Sequence, residues 1–516
     1  MLALRLHRKA YKVICFVVLS LIIILCIIVG SANQNSDLST TSQFKETFAD
    51  LKNSFQQAGV NDYLKIPSTL VKWGSDKFVS SDSKDSADFI EDELNSDEDS
   101  VSAKKYGYDY GEQFKKNVET IWKGLFTPIY YIYAVSDDSD SSEPKLLYPT
   151  KSDGNLEEYF TEKELAKFDG LLDMTKDYEK MFKTDIQKAK DPIKACFMSL
   201  VRNEDLYSIL PTVRKIEDRF NKNFHYSYVF FNDVSFTEEF KAKVQRIINP
   251  ESEVHFITLP KEMWSYPDYI DLKEAAKTRE KMKDIIYGSS ESYRHMCRFN
   301  SKWFYQHPIM DQFDYYWRIE PDTAIYCDMD YDIFEYMNDN KLVYGFSISL
   351  HEYESTIPNL WPATKNFVQQ RPHFLNNNNF LKFISDDEGN LFNQCHFWSN
   401  FEVVNLNFYR SLQYQLYVEY LDKTGIFFYE RAGDAPVHSI AAALFLPKES
   451  IKYFDSIAYM HPPYTHCPID DKVYMKYKCD CRQTSDFTFQ GYSCGNQYYD
   501  ALDMQKPEGW EQFLNN

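Results

Sequence analysis

The chain has 516 residues, 44% hydrophobic, 17% aromatic and 26% charged, with a formal net charge of −20. That composition belongs to a globular protein with a large core, long enough for two domains or for one large domain with appendages. The acidic balance and the lack of any basic stripe exclude a nucleic-acid-binding footprint.

Basic residues cluster once, at the start, where Arg5, His7, Arg8, Lys9 and Lys12 precede an uncharged run at 13–30. At 1.5 Å per residue that run spans about 27 Å, enough for a thin bilayer. No Lys or Arg follows until Lys45. The positive-inside rule therefore predicts a cytosolic tail at 1–12, a transmembrane signal anchor at 13–30 and the remainder on the far side. A cleaved signal peptide is the competing reading, since Gly30-Ser31-Ala32 resembles a cleavage site, but its apolar region is normally shorter. The short span suits an early secretory or Golgi membrane better than a thick plasma membrane. Residues 31–60 are rich in Ser, Thr, Asn and Gln and read as a stalk. Residues 61–190 read as an acidic, partly ordered neck: 82–99 carries nine carboxylates against Lys84 alone, while 106–135 and 157–190 contain material able to pack, the latter helical in pattern.

From Ile193 the texture changes. An apolar run at 194–201 is followed by Arg202 and Asn203, then by a helical pattern through Leu206, Ile209, Leu210, Val213 and Ile216. A strand at 226–231 ends in Asn232-Asp233, a second helix reads over 234–248, and a third strand over 254–258. Strands alternating with helices at this spacing predict a mostly parallel sheet in a nucleotide-binding α/β fold, with residues 191–516 as its domain. No Gly-x-Gly-x-x-Gly or Walker loop is present, which weighs against a dinucleotide-binding or P-loop protein. Further on, 315–319 reads as a buried strand that Pro321 stops. Glu320 and Asp322 then sit at its carboxyl end, where α/β sheets place ligand crevices. Two carboxylates there can share a hard divalent cation; the plainer reading is a solvated acidic turn.

Eight cysteines follow the apolar run, and on the oxidising side of a membrane they suggest disulfides of undeducible connectivity. Cys467, Cys479, Cys481 and Cys494 make a poor zinc site, having no Cys-x-x-Cys pair. No Asn-x-Ser/Thr sequon occurs.

Several motifs then occur in one order: Glu291-Ser-Tyr-Arg-His-Met-Cys297, Tyr315-Tyr-Trp-Arg-Ile-Glu-Pro-Asp322, Tyr344-Gly-Phe-Ser-Ile-Ser-Leu-His-Glu-Tyr353, Cys395-His-Phe-Trp-Ser-Asn-Phe-Glu402, Gly433-Asp-Ala-Pro-Val-His-Ser439 and His461-Pro-Pro-Tyr464. As a set they resemble the fungal Golgi α-1,2-mannosyltransferases, glycosyltransferase family fifteen. The resemblance runs from Ile193 to the carboxyl terminus, and the anchor and stalk match the family's type II layout. It implies a GT-A-like nucleotide-sugar-binding fold, GDP-mannose as donor, Mn2+ as cofactor, and retaining transfer to mannose residues of N- or O-linked glycans on a mannosylated glycoprotein. The family also holds a mannosylphosphate transferase, and an inactive member acting as a Golgi scaffold is a third reading.

The resemblance implies Glu320 as a direct metal ligand, with Asp322 binding through water or positioning the sugar. His461 matches the family's metal histidine; His438, at the start of a helical pattern, reads as a packed or capping residue. Glu402 matches the proposed nucleophile, which either attacks the anomeric carbon or only steadies an oxocarbenium-like charge. The plainer role is to bind a sugar hydroxyl. Tyr293 matches a tyrosine near the reacting centre. Arg202, Asn203 and Asp233 follow the first two strands and suit the nucleotide. Asp434 suits sugar hydroxyls. Arg294 is expected at the nucleotide sugar, and it and Arg298 face phosphate or pair structurally. Trp361, Trp398 and Tyr353 are candidates for the floor of an acceptor site, but aromatics are so abundant here that each by itself reads more readily as core.

Overall fold

Twelve strands are present among the residues that the computed structural model describes, 122–127 and 159–514. They are β1 (Ala195–Leu200), β2 (Ser227–Asn232), β3 (Val254–Thr258), β4 (Tyr315–Arg318), β5 (Ala324–Ile325), β6 (Tyr344–Phe346), β7 (Ser349–His351), β8 (Cys395–Phe397), β9 (Glu402–Asn405), β10 (Ile451–Tyr453), β11 (Tyr459–His461) and β12 (Tyr464–His466). Seven form one sheet in the order β10-β6-β9-β4-β1-β2-β3. Strands β3, β2, β1 and β4 are parallel, as are β6 and β10, and β9 runs antiparallel between β4 and β6. The sheet is thus mixed and mostly parallel, as the strand–helix alternation predicts.

Both faces of this sheet are covered, which is why its strands read as continuous apolar runs rather than as alternations. Along β1, Cys196 and Met198 enter one core while Ala195 and Phe197 enter the other. Helices α1 (Leu206–Arg219) and α2 (Glu238–Ile247) seal the second face through Ile209, Val213, Ile216, Phe240 and Val244. The first face carries α3 (Glu291–Arg298), α4 (Leu360–Gln370), α5 (Leu412–Lys423) and α6 (Asp434–Phe445). Every residue of α6 is buried, as its Ala-rich, largely apolar sequence on all sides requires. Each fully buried Phe, Val or Leu of these layers contributes about 1.5–3 kcal/mol.

The core also draws on residues that the sequence assigns to the neck. Trp122 and Leu125 are buried, and Gln369 on α4 donates to the Leu125 carbonyl at 3.0 Å. The described part of the 157–190 stretch, 159–190, is helical only in short turns, such as Glu162–Leu165 and Asp185–Lys190, each opened by a threonine capping box. It is pinned where Gln413 accepts from the Met174 N–H (3.1 Å) and Asn405 donates to the Met181 carbonyl (2.8 Å). The expected cytosolic tail, the 13–30 span, the stalk and the 82–99 acidic run lie outside the described residues. Among the described residues no helix is long and apolar enough to cross a membrane.

Three disulfides, Cys327–Cys479, Cys395–Cys494 and Cys467–Cys481, use six of the eight cysteines, while Cys196 and Cys297 are free and buried. The four late cysteines are all paired, so none offers a thiolate to zinc.

Candidate active site

Strand β4 supplies the axis of the site. Side chains two apart on a strand share a face, so Tyr316 and Arg318 point to the α6 side. Beyond the strand, the Glu320–Thr323 turn is tied down from α1: Thr212 Oγ1 donates to the Glu320 carbonyl at 3.1 Å, and Ser208 accepts from the Asp322 N–H at 3.1 Å. Asp322 adopts a left-handed φ of 60°, a conformation that aspartate tolerates better than most residues. Its side chain is exposed.

A second, three-stranded sheet brings the distant histidine to this turn. Strand β5, just after Glu320 and Asp322, pairs antiparallel with β11, setting Met460 opposite Ala324. The next residue, His461, faces Glu320 with Nε2 3.8 Å from Oε2. His461 Nδ1 lies 3.0 Å from the Pro462 carbonyl. A carbonyl only accepts, so in the neutral imidazole Nδ1 carries the proton and Nε2 keeps its lone pair. Two acceptor atoms therefore face each other across a gap in which neither can donate. That donor set, one imidazole nitrogen and one carboxylate oxygen, suits a divalent cation such as Mn2+. His438 is not part of this pair.

Arg318 joins that end of the site to Asp434. Its guanidinium donates to Glu320 through Nη2, and to Asp434 and Ser399 through Nη1, the last at 3.2 Å. Ser399 donates to the same Asp434 oxygen at 2.7 Å. Burial pushes the Asp434 carboxyl up, but the Arg318 charge, with His438 and Ser399, outweighs it and holds the group below the usual carboxylate range. Burial alone would lower Arg318, yet the Asp434 and Glu320 carboxylates raise it well above its ordinary value. Arg318 is a site residue that the sequence reading missed. The signal was its place as a charge inside a strand otherwise built of aromatics, two residues before Glu320.

Glu402 opens β9, and its side chain is 1% exposed. Tyr316 and Tyr344 both stand opposite Val404, two positions along β9 and hence on the face of Glu402. Their hydroxyls reach its carboxylate, Tyr344 at 2.6 Å to Oε2 and Tyr316 to Oε1. Tyr409 lies 3.4 Å from Oε2 and His438 Nδ1 3.1 Å from it. His438 Nε2 donates to the Asn300 carbonyl at 3.1 Å, which fixes the ring. Burial, reinforced by the Glu402 charge, pushes the phenols of Tyr316, Tyr344 and Tyr409 well up, so they stay protonated donors.

Tyr293 lies on α3, stacked on Tyr287 at 4.7 Å with the Arg431 guanidinium 5.2 Å over its ring. Arg431 pairs with Glu352 at 3.3 Å. Burial raises the Tyr293 phenol well above its usual value. Arg202 and Asp233 are exposed at the carboxyl ends of β1 and β2, open to a ligand. Asn203 is partly committed: its side chain donates to the Ser235 carbonyl (3.1 Å) and accepts from the Thr237 N–H (2.9 Å), bracing the loop after β2. Arg294 departs from the expectation. It is fully buried, and its guanidinium donates to the carbonyls of Glu430 (3.0 Å) and Ser290 (2.9 Å), so it joins backbone segments instead of facing phosphate. Arg298 likewise pairs with buried Asp422. Trp361 is core, its indole donating to the Gly389 carbonyl at 3.1 Å.

The fold and this site define an α/β protein with a mixed, mostly parallel sheet whose charged residues gather at the carboxyl end of β4. A family model described as glycolipid 2-alpha-mannosyltransferase matches residues 153–503. The chain belongs to that family, glycosyltransferase family fifteen. It is 53% identical over 332 residues to glycolipid 2-alpha-mannosyltransferase 2 of Candida albicans, covering 63% of this chain and 72% of that one. It is also 53% identical over 327 residues to glycolipid 2-alpha-mannosyltransferase of Saccharomyces cerevisiae, covering 63% and 73%. Among solved structures, the mannosyltransferase Ktr4p of S. cerevisiae in complex with GDP matches with a TM-score of 0.60 at 32% identity, over 77% of this chain and 99% of that one. Core-mannan synthase A of Aspergillus fumigatus in its Mn/GDP form matches at 0.56 and 37% identity, over 60% and 86%.

Proposed function

We propose that this chain is a retaining α-1,2-mannosyltransferase that moves mannose from GDP-mannose onto mannose residues of a glycoprotein's N- or O-linked glycans. The observation that carries the reading is the facing pair Glu320 and His461 at the carboxyl end of β4, in a chain of this family. These two residues would hold Mn2+, with Asp322 exposed beside them on the same turn. When bound, the cation neutralises charge on the departing GDP as a Lewis acid. The neighbouring fold suits a GT-A-like nucleotide-sugar site, with Arg202 and Asp233 on the nucleotide side. The anchor at 13–30 would hold the enzyme in the Golgi membrane as a type II protein with its catalytic domain lumenal.

Within the site, Arg318 fixes Glu320 and Asp434 relative to each other, and Asp434 would offer its other carboxylate oxygen to sugar hydroxyls. Glu402 carries donors on both oxygens and has no open surface, an arrangement that favours a fixed negative charge over an attacking lone pair. We therefore favour the front-face route. The acceptor hydroxyl bonds to the anomeric carbon as the bond to the GDP oxygen breaks on the same face, and the hydroxyl proton passes to that departing oxygen. Glu402 would steady the oxocarbenium-like charge through its fixed negative charge.

The test is to incubate the purified full-length chain with GDP-mannose, Mn2+ and short α-mannosides and to determine the product linkage. An α-1,2 bond is expected, with turnover reduced at least 100-fold in Glu320→Gln and His461→Ala. An acid-labile phosphodiester would instead identify mannosylphosphate transfer. The absence of any product together with no Mn2+-dependent GDP binding would overturn the reading.

A further inference from the structure

Four aromatic side chains stand in a row that starts at the metal-proximal histidine and that the site as described does not use. Trp398 lies 4.6 Å ring to ring from His461, Tyr464 5.8 Å from Trp398, Tyr492 6.1 Å from Tyr464, and Tyr353 6.2 Å from Tyr492. They come from four separate segments: Trp398 follows β8, Tyr464 opens β12, Tyr353 follows β7, and Tyr492 precedes Cys494. The core aromatics of this protein are almost wholly enclosed. These four are not: Tyr353 is 50% exposed and the other three are half-buried.

The row is held rather than loose. Tyr464 stacks on buried Phe487 at 3.9 Å, and the Cys395–Cys494 disulfide fastens the segments that carry Trp398 and Tyr492. Its far end meets polar groups. Glu352 accepts from the Tyr353 N–H at 2.8 Å and pairs with Arg431, whose guanidinium covers Tyr293. The row therefore touches the described site at both ends, at His461 and through Arg431 at Tyr293.

Chemistry selects the occupant. A protein partner that simply sought apolar burial would meet Leu, Ile or Phe, whereas three of these rings carry hydroxyls beside their apolar faces. Such rings present one face to the C–H side of a pyranose and a donor or acceptor to its hydroxyls. Successive spacings of 5.8, 6.1 and 6.2 Å are on the scale of one hexose per ring. We propose that Trp398, Tyr464, Tyr492 and Tyr353 form an extended acceptor subsite that stacks successive hexose residues of a neutral oligosaccharide, so that acceptor affinity rises with chain length. The proposal rests on the mannosyltransferase reading and adds to it where the acceptor's remoter sugars lie.

The test compares methyl α-mannoside with a linear α-linked mannotetraose as acceptors for the full-length enzyme. The wild type is expected to show a lower KM for the tetrasaccharide. Tyr353→Ala and Tyr492→Ala should each raise that KM about 3- to 10-fold, the loss of one aromatic contact. Their KM values for methyl α-mannoside and GDP-mannose should stay within about twofold of wild type, which a merely misfolded variant would not achieve. An equal KM for both acceptors in the wild type, or an unchanged tetrasaccharide KM in both variants, would overturn the subsite. A tryptophan-fluorescence titration with mannotetraose and no donor reads the row independently of transfer. Binding that weakens in Tyr353→Ala while no acceptor is turned over would sink the activity reading and keep the subsite; no binding to the wild type would sink the subsite.

Discussion

Glu402 is surrounded by three tyrosine hydroxyls and one imidazole, and that enclosure decides what a change there would do. Glu402→Gln keeps the shape but removes the charge, and it sets an amide donor against phenols that already donate. Turnover should fall by at least 100-fold while GDP-mannose affinity stays near wild type, a split readable from steady-state kinetics and calorimetry. Retained turnover would remove Glu402 from the mechanism, and a mannosyl–enzyme adduct caught by mass spectrometry would favour direct attack over front-face transfer. His438 acts one step further back. Through Nε2 it grips the Asn300 carbonyl, and through Nδ1 it touches both Glu402 and Tyr409 at 3.1 Å. His438→Gln should lower kcat by about 10- to 100-fold, the range of a buried hydrogen bond to a charged group, with KM for GDP-mannose little changed. A changed pH profile of kcat would separate this positioning role from simple packing.

At the scale of the element, α3 shows how one helix divides its labour. Tyr293 packs between Tyr287 and the Arg431 guanidinium, whereas Arg294 and Arg298 are turned into the protein and hold the helix to its neighbours. Arg298 forks onto Asp422 at 2.7 and 2.8 Å, and Lys302 reaches the same carboxylate at 2.7 Å. Burial pushes the Asp422 carboxyl up, but Lys302 and Arg298 outweigh it and hold the group far below the ordinary carboxylate range. A carboxyl depressed in this way stabilises the fold above its unfolded pKa of about 4, and that stability is lost as pH falls below it. Asp422→Asn leaves the buried Arg298 without its anion, while Lys302 keeps Glu419, and should cost about 3–5 kcal/mol. Urea unfolding between pH 3 and 7 should show this loss, together with a flatter acid limb than the wild type has.

For the whole molecule, the disulfides join parts that the sheet alone does not. Cys327–Cys479 and Cys395–Cys494 span sequence separations of 152 and 99 residues, clamping the carboxyl-terminal segment onto the strands that carry the site. Replacing Cys395 and Cys494 together by Ser should lower stability by about 2–5 kcal/mol. The same replacement should raise the mannotetraose KM more than the GDP-mannose KM, because Trp398 and Tyr492 lie three and two residues from the two cysteines. Thermal melts and the two KM values check the pair of expectations.

Much of this was local enough to be legible in the residues themselves. The strands at 195–200, 227–232, 254–258 and 315–318, and the helix after Leu206, follow from runs of apolar residues whose period reports their surroundings. The placement of Glu320 at a strand's carboxyl end follows from Pro321, and resemblance of the motifs pointed to Glu402 and His461 without any coordinates. What only the tertiary structure decided involves partners far apart along the chain. Periodicity says which face a side chain takes but not what packs there, so it could not reveal that Arg318 links Glu320 to Asp434. Nor could it show that Glu402 is enclosed by Tyr316, Tyr344, Tyr409 and His438. Arg294 was misplaced for the same reason: a basic side chain has the same local signature whether it meets a ligand or a buried carbonyl. The pairing of β5 with β11, set by long-range backbone hydrogen bonds, is what carries His461 to Glu320 across more than a hundred intervening residues.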